Sequence, residues 1–237
     1  MSEQPSTWYW GFALPADVHA RAQATVNRLL GGEAGAEANS EAAQVVSELV
    51  LAGLDSYYTI PTQMVPLSPR LKKAADGSVQ AVYKGIRMVI SQFFRQRNEA
   101  ELQELARYLD AMLHESPANQ TAHLVFPIDE ALYNKAQSLI RAVQTEPRPR
   151  DHLDEIVATL SQMVTEGITH YYERPVNLVR LGGLTRKTVD MTMKGVGKGI
   201  RSLIDHLVRQ LSDDQLRELS HHVASLLHEK PAAPAAP

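Results

Sequence analysis

The segment Gly53-Leu-Asp-Ser-Tyr-Tyr-Thr-Ile-Pro61 returns 114 residues later as Gly167-Ile-Thr-His-Tyr-Tyr-Glu-Arg-Pro175. Two further segments keep this offset: Lys84-Gly85-Ile86-Arg87 matches Lys198-Gly199-Ile200-Arg201, and Leu113-His114-Glu115 matches Leu227-His228-Glu229. Because one offset aligns all of these segments without a gap, the regions 49–115 and 163–229 are predicted to be a tandem duplication. The chain is therefore expected to fold as two copies of one unit.

The composition is that of an ordinary globular protein. The 237 residues are 44% hydrophobic and 22% charged, enough to bury a core. A formal net charge of -3 gives no overall attraction to nucleic acid or to an anionic membrane. The absence of cysteine excludes disulfides, thiolate metal ligands and thiol nucleophiles, and it fits a reducing compartment. With no basic leader and no apolar run of about 20 residues, we expect a cytoplasmic protein without a transmembrane segment.

The N-terminal cluster Trp8-Tyr9-Trp10-Gly11-Phe12 holds both tryptophans. We interpret it as an extended segment that lays its rings over the core, with an exposed partner-binding patch as the alternative. The first helix is expected to begin near Pro15-Ala16-Asp17 and to end at Gly31-Gly32. Its counterpart is expected to begin near Pro127-Ile128-Asp129-Glu130.

Apolar residues at spacings of three and four predict an amphipathic second helix in each copy. Its positions are Val46, Leu49, Val50, Gly53, Leu54 and Tyr57 in the first copy, and Leu160, Met163, Val164, Gly167, Ile168 and Tyr171 in the second. The paired Gly53 and Gly167 indicate close approach of a neighbouring helix. Pro61 and Pro175 are expected to end the helix, because the residue before a proline avoids the helical region.

A long third helix and a shorter fourth helix complete each copy. The apolar stripe of the third helix is Val79, Val82, Ile86, Val89, Ile90 and Phe93, repeated as Met193, Val196, Ile200, Leu203, Ile204 and Leu207. The fourth helix is expected to follow Asn98 or Ser212, with Glu101 or Gln215 completing a capping box. Because the turn between the two helices is short, they are expected to pack antiparallel.

No segment shows the alternation and turns of a convincing strand, so the predicted fold class is all-α. We expect about eight helices in two tandemly duplicated four-helix modules with pseudo-twofold symmetry. The predicted divisions are an N-terminal aromatic segment at 1–13, a first helical repeat at 14–116, a second at 127–230 and a disordered Pro/Ala tail at 231–237.

Twelve repeated residues form the candidate ligand-binding set, because packing alone does not require polar groups at these positions. They are Tyr57, Tyr58, Lys73, Asp76, Lys84 and Arg87, with Tyr171, Tyr172, Lys187, Asp190, Lys198 and Arg201. The functional interpretation is a cavity in each module, with the tyrosines, Lys84 and Arg87 holding an anionic head group at its mouth. Two structural interpretations stay open: solvated pairs such as Lys73 with Asp76 and Arg201 with Asp205, or basic side chains that brace the tyrosine hydroxyls.

Motifs for enzyme or metal chemistry are not found, so no catalytic residue, metal ligand or cofactor is assigned. The run Gly195-Val-Gly-Lys-Gly199 lacks the Ser or Thr of a phosphate loop and lies in a predicted helix. Adjacent His221 and His222 point to different helix faces and do not make a zinc motif. His114 and His228 are explained by the negative end of a helix dipole.

We therefore expect a non-enzymatic helical binding protein that sequesters a hydrophobic or amphipathic anionic ligand such as a fatty acid. A protein-interaction or scaffold module, with a protein partner or as a homodimer, is the first alternative, and an unrecognised helical enzyme is another. Nucleic acid or phosphate binding is less favoured by the net charge. It would use the basic third helices, whose cations include Arg70, Lys72, Lys73, Lys84, Arg87, Arg186, Lys187, Lys194, Lys198 and Arg201.

Overall fold

A computed structural model describes residues 8–65, 67–115 and 121–229, so the tail predicted at 231–237 and the start of the segment predicted at 1–13 lie outside the described residues. The described chain is mostly helical, as predicted, and it also contains a small antiparallel sheet. None of its described helices combines the length and the apolar character needed to cross a membrane.

The elements follow a similar order in residues 8–115 and 122–229. The first run is β1 (Trp8–Ala13), α1 (Ala16–Leu30), α2 (Ala36–Leu54), a π-helix (Asp55–Thr59), α3 (Ile60–Met64), α4 (Pro69–Phe93), α5 (Glu99–Asp110) and β2 (Leu113–Glu115). The second run is β3 (Ala122–Pro127), α6 (Glu130–Thr145), a 3-10 turn (Pro149–His152), α7 (Leu153–Ile168), a π-helix (Thr169–Glu173), α8 (Arg174–Leu178), α9 (Gly183–Val208), α10 (Asp213–Ala224) and β4 (Leu227–Glu229). The predicted start and end of α1 are confirmed, as are the capping boxes of α5 and α10.

The four strands correct the expectation that the chain has no sheet. Their order is β2-β3-β1-β4, and all three pairings are antiparallel. The last strand of each half pairs with the first strand of the other half, β2 with β3 and β4 with β1. A three-residue strand carries no readable alternation of its own, because it is formed by pairing with a partner strand rather than by local pattern.

The central strand pair is held together by an unusually close approach at Gly11. Gly11 lies opposite Val125 in the β1–β3 register. A Cβ on Gly11 would lie 2.2 Å from the Leu124 carbonyl oxygen and 2.6 Å from the Val125 Cα. Because these are backbone atoms of a paired strand, they cannot move aside, and only glycine fits here.

The helix that carries the tyrosine pair continues through its proline, so the prediction that Pro61 and Pro175 end it is wrong. The chain widens into a π-turn just before each proline, where the Ile60 N–H reaches back to the Asp55 carbonyl and the Arg174 N–H to that of Thr169. The next N–H in this pattern would belong to the proline, which has none. The helix therefore absorbs the proline at the widened turn and continues as α3 or α8.

The buried apolar residues form clusters that draw on both halves of the chain. One cluster lies under the inner face of the sheet, where Trp10, Phe12, Leu124 and Phe126 are all buried. Another joins α1, α4 and α5 to α8 and α9. A hydrophobic interior shared in this way makes the packing of each half depend on the other.

The long helices α4 and α9 pack against each other at equivalent glycines. A Cβ on Gly85 would lie 3.0 Å from Val196 Cγ2, and one on Gly199 would lie 3.5 Å from Val82 Cγ2. Each glycine thus receives a valine of the other helix, which lets the two backbones come close. Together these helices form one wall of the cavity described next.

An internal cavity as the candidate functional site

A cavity of about 510 Å³ lies between the sheet and the helices of both halves. Its walls come from the inner face of the sheet and from α2, α4, α5, α7, α9, α10 and both π-helices. The sequence-based interpretation placed one cavity in each module, whereas this cavity is shared by the two. Its volume lies within the range of cavities that hold small molecules, about 300 to 1,000 Å³.

The lining is almost entirely apolar. Leu, Ile, Val, Met and Phe side chains make up most of the wall, and the polar atoms come from hydroxyls, histidines and indole nitrogen. Among the described lining residues there is no Lys, Arg, Asp or Glu. A charged ligand group inside this cavity would therefore find no side chain of opposite charge.

The π-helices bring one tyrosine of each pair to the centre of the cavity. Tyr57 stacks parallel to Trp10, with ring centroids 6.2 Å apart, and meets Phe12 edge-on at 5.3 Å. Tyr171 meets Phe126 edge-on at 5.2 Å. Burial raises the pKa of Tyr57, and the neighbouring Tyr171 hydroxyl and Trp10 indole N–H partly offset that rise, so the three polar groups lie close together. The two phenols, one from each half, thus meet in a single polar group.

These two tyrosines are buried from bulk solvent although they keep accessible surface. Tyr57 and Tyr171 are 38% and 36% exposed, and both line the cavity. Burial nevertheless raises the pKa of both phenols far above the usual value. The exposed fraction and the raised pKa are consistent because the accessible surface of each tyrosine faces the cavity rather than bulk solvent. Both hydroxyls therefore stay protonated at physiological pH.

The other tyrosine of each pair braces the π-helix against the long helix that follows. Tyr58 donates to Asp76 at 2.7 Å, and Tyr172 donates to Asp190 at 2.6 Å. These hydrogen bonds lower the pKa of both carboxyls. The interpretation in which a basic side chain braces these hydroxyls is thus wrong, since aspartate is the partner in both halves.

The missing N–H of each proline leaves a backbone carbonyl that a side chain from the other half satisfies. In the first half, His222 Nε2 donates to the Ser56 carbonyl at 2.7 Å. In the second half, the Tyr108 hydroxyl donates to the His170 carbonyl at 2.9 Å. Because a carbonyl only accepts, the proton of His222 is assigned to Nε2. Each π-turn is thereby closed by a helix of the opposite half, α10 or α5.

His170 is held neutral in the cavity wall. Its ring stacks on Phe126 with centroids 5.2 Å apart, and its Nδ1 lies 3.5 Å from the Tyr108 hydroxyl. Burial, and then the charge of Arg174, lower the pKa of His170 to about 4. At neutral pH the imidazole is therefore an uncharged group that cannot balance an anionic ligand.

The charged residues of the predicted site do not line the cavity. Lys73, Lys84, Arg87, Lys187 and Lys198 are exposed and Arg201 is half-buried, and none of them lines the cavity. The ion pairs on these helices also differ from those expected. Asp76 pairs with Lys72 rather than Lys73, and Asp205 pairs with Arg209 rather than Arg201. Arg87 lies over the Tyr83 ring at 5.9 Å.

Several residues of the site were not identified by comparing the sequences of the two halves. Trp10 and Phe126 were assigned to packing or not singled out, and Tyr108 and His222 were not considered as partners of the π-helices. Tyr108 and His222 occupy equivalent positions in the two halves. Because their residue types differ, a search for identical repeated residues passes over them, whereas a search for repeated hydrogen-bonding ability would have found them.

No group of three histidine, aspartate or glutamate side chains within 8–65, 67–115 and 121–229 is arranged to hold a metal ion. A scan against protein-family models and searches of curated proteins and of solved structures found no match to this chain.

Proposed function

We propose that the protein is a non-enzymatic binding protein that holds one hydrophobic small molecule in the shared cavity. The observation that carries this proposal is an apolar cavity of about 510 Å³ at the centre of the fold. The tandem duplication with pseudo-twofold symmetry is part of the proposal. It is supported by the common offset of the two sequences and by the matched pairing of the strands.

The energetic argument is that a cavity of this size would be costly if it stayed empty. An unfilled apolar cavity forgoes packing contacts along its wall, and the cost rises with the volume left unfilled. Water is a poor filler because the lining offers few hydrogen-bonding partners. An apolar ligand would recover much of the lost contact.

The proposal departs from the sequence-based expectation in the charge of the ligand. That expectation relied on Lys84 and Arg87 at a cavity mouth, and these exposed residues do not line the cavity. A carboxylate inside the cavity would be an unpaired buried charge, which costs several kcal/mol. Hydrophobic ligands without a buried charge are therefore favoured over fatty acid anions.

Native mass spectrometry tests the proposal directly. The protein is examined as purified, and again after organic extraction and incubation with decan-1-ol. We expect an added mass equal to one ligand per chain, because the two halves share one cavity. Two ligands per chain would indicate separate sites, and no retained mass in either sample would contradict the proposal.

Equivalent substitutions in the two halves provide the control. Val50 and Val164 occupy matched positions, and both line the cavity. Val50→Phe and Val164→Phe should each reduce the bound fraction of decan-1-ol, since either ring narrows the same space. Met191→Phe, at a side chain that is 65% exposed on α9, should leave binding unchanged. Equal binding by all three variants would place the ligand elsewhere.

A further inference from the structure

The polar group at the centre of the cavity cannot pair all of its own hydrogen-bond donors. It comprises the Tyr57 hydroxyl, the Tyr171 hydroxyl and the Trp10 indole N–H. An indole nitrogen can donate a hydrogen bond to a phenol oxygen but cannot accept one. Between the two phenols, only one can donate to the other. At least one phenolic O–H is therefore left without a partner inside this group, whichever tyrosine carries it.

Within the described part of the chain, neither the Tyr57 nor the Tyr171 hydroxyl has a carboxylate, carbonyl or imidazole acceptor at hydrogen-bond distance. The described side chains that line the cavity include no carboxylate. The carbonyls left open at the two π-turns already accept from His222 and Tyr108. Asp76 and Asp190 are held by the other tyrosine of each pair. A buried donor without a partner costs free energy, so a donor that faces a cavity is a recognition group for what fills it.

We infer that the bound molecule is an uncharged amphiphile with an oxygen acceptor, such as a ketone, an ester or an alcohol, which accepts a hydrogen bond from the spare phenolic O–H of Tyr57 or Tyr171. This inference rests on the proposed function, because it names the chemical class of the ligand in the same cavity. The apolar walls hold the hydrocarbon part, and the tyrosine pair fixes the position of the oxygen.

The same surroundings select against an anion with the same chain. A carboxylate would accept the spare proton, but it would bring a full negative charge into a cavity lined by no cation. The nearby His170 is buried at the wall beside Phe126 and does not supply a positive charge at neutral pH. A neutral carbonyl or hydroxyl gains the hydrogen bond without that desolvation cost.

Displacement of the neutral dye Nile red by three probes of equal chain length tests the inference. The probes are octane, 2-octanone and octanoate at pH 7.4. The ratio of ketone affinity to alkane affinity is compared between variants, so that the different solubilities of the probes in water cancel. Octanoate is expected to bind at least tenfold more weakly than 2-octanone.

The variants are chosen to remove one or both of the phenolic O–H groups in the cavity. Tyr57→Phe and Tyr171→Phe each remove one phenol and leave the other with a proton to give, so the ketone-to-alkane ratio should change little. The double variant removes both protons, and the ratio should fall about five- to tenfold, the loss of one hydrogen bond. Tyr83→Phe is the matched control, because Tyr83 lies outside the cavity lining. Octane binding reports that each variant still folds around its cavity.

The outcomes separate this inference from the proposed function. An unchanged ratio in the double variant, or octanoate that binds as tightly as 2-octanone, would overturn the inference while octane binding still supports an apolar site. Failure of all three probes to displace the dye, or of the dye to bind, would overturn the proposed function itself. A fall in the ratio in Tyr83→Phe would show that the effect does not come from the tyrosine pair.

Discussion

The two π-helices reach the same geometry with different partners. In the first half, the open carbonyl belongs to Ser56 and accepts a hydrogen bond from a histidine on α10. In the second half, it belongs to His170 and accepts a hydrogen bond from a tyrosine on α5. What the halves share is a pair of tyrosines followed three residues later by proline, and what differs is the donor. The backbone thus requires a donor at this place, and more than one side chain meets the requirement.

The two halves also complete each other's structure through hydrogen bonds and strand pairing. Each open carbonyl is closed by a side chain from the other half, and each short end strand pairs in the other half. The contacts that complete one half of the chain therefore come from the other half. Substitutions at matched positions can measure how far this equivalence extends.

The largest expected effect is at the centre of the sheet, where the first half has Gly11 and the second half has the larger Val125 opposite it. Gly11→Ala would place a methyl group against the paired backbone, so the free energy of unfolding should fall by about 3 kcal/mol or more. Val125→Ala, opposite it, should cost about 2 kcal/mol by loss of buried side chain. Urea unfolding followed by circular dichroism measures both. A tolerated Gly11→Ala would contradict the close approach of β1 and β3.

The next largest loss of stability should follow removal of the side chains that donate to the open carbonyls of the π-turns. Tyr108→Phe and His222→Leu each leave a backbone carbonyl without its side-chain partner, which should cost about 1 to 3 kcal/mol in the free energy of unfolding. The same urea experiment applies, with Tyr83→Phe as a control that removes the hydroxyl of a tyrosine that donates to neither open carbonyl. Similar losses would support the equivalence of the two turns, and a loss at only one of them would break it.

Lowering the pH should affect the two halves differently, because His170 in the second half can take up a proton whereas its counterpart in the first half, Ser56, cannot. The pKa of His170 is lowered to about 4 in the folded state, below its usual value near 6.5. As pH falls through 6.5 the unfolded chain takes up a proton that the folded chain refuses, so stability is lost until about pH 4. Between pH 7.5 and 5 this should cost about 2 kcal/mol.

The measurement for this effect is the difference in pH dependence between the wild type and His170→Gln. His123 and His228, whose pKa values are also lowered, act in the same direction in both proteins, whereas the raised pKa of His152 acts in the opposite direction. The variant should therefore lose less stability than the wild type on going from pH 7.5 to pH 5. An identical loss would show that His170 is not held neutral.

The smallest expected effect is at the glycines that face the sheet. A Cβ on Gly53 would lie 3.1 Å from Phe12 Cζ, whereas the nearest atom to one on Gly167 is Tyr171 Cδ2 at 3.7 Å. Gly167→Ala should therefore stabilise the helix by about 0.5 to 1 kcal/mol, while Gly53→Ala should gain less or nothing. Thermal unfolding of the two variants tests the difference. An equal gain would mean that the two contacts are equivalent.

The helices were largely predictable from sequence, and the strands were not. Apolar spacing and capping residues predicted α1, α4 and α5 because these signals are local. The strands β2 and β4 depend on partners far along the chain, so their three residues carry no pattern. The continuation through Pro61 was also unpredictable from local rules, since it depends on a widened turn whose open carbonyl is closed by His222.

The candidate site was predictable only in part. Repetition identified the tyrosines, and Tyr57 and Tyr171 lie at the centre of the cavity. It also selected exposed cations such as Lys84 and Lys198, because repetition does not show which way a side chain points. Whether those cations have a role of their own stays a prediction. The shared cavity itself arises from how the halves pack, which no pattern within one half encodes.

The central claim is that both halves enclose one site for an uncharged hydrophobic ligand. A crystal structure of the protein grown with 12-bromododecan-1-ol tests it most directly, because the bromine gives an anomalous signal. The account predicts one bromine peak per chain inside the cavity, with the hydroxyl oxygen within hydrogen-bonding distance of Tyr57 or Tyr171. A cavity closed by repacked side chains, with bromine found only on the protein surface, would contradict it.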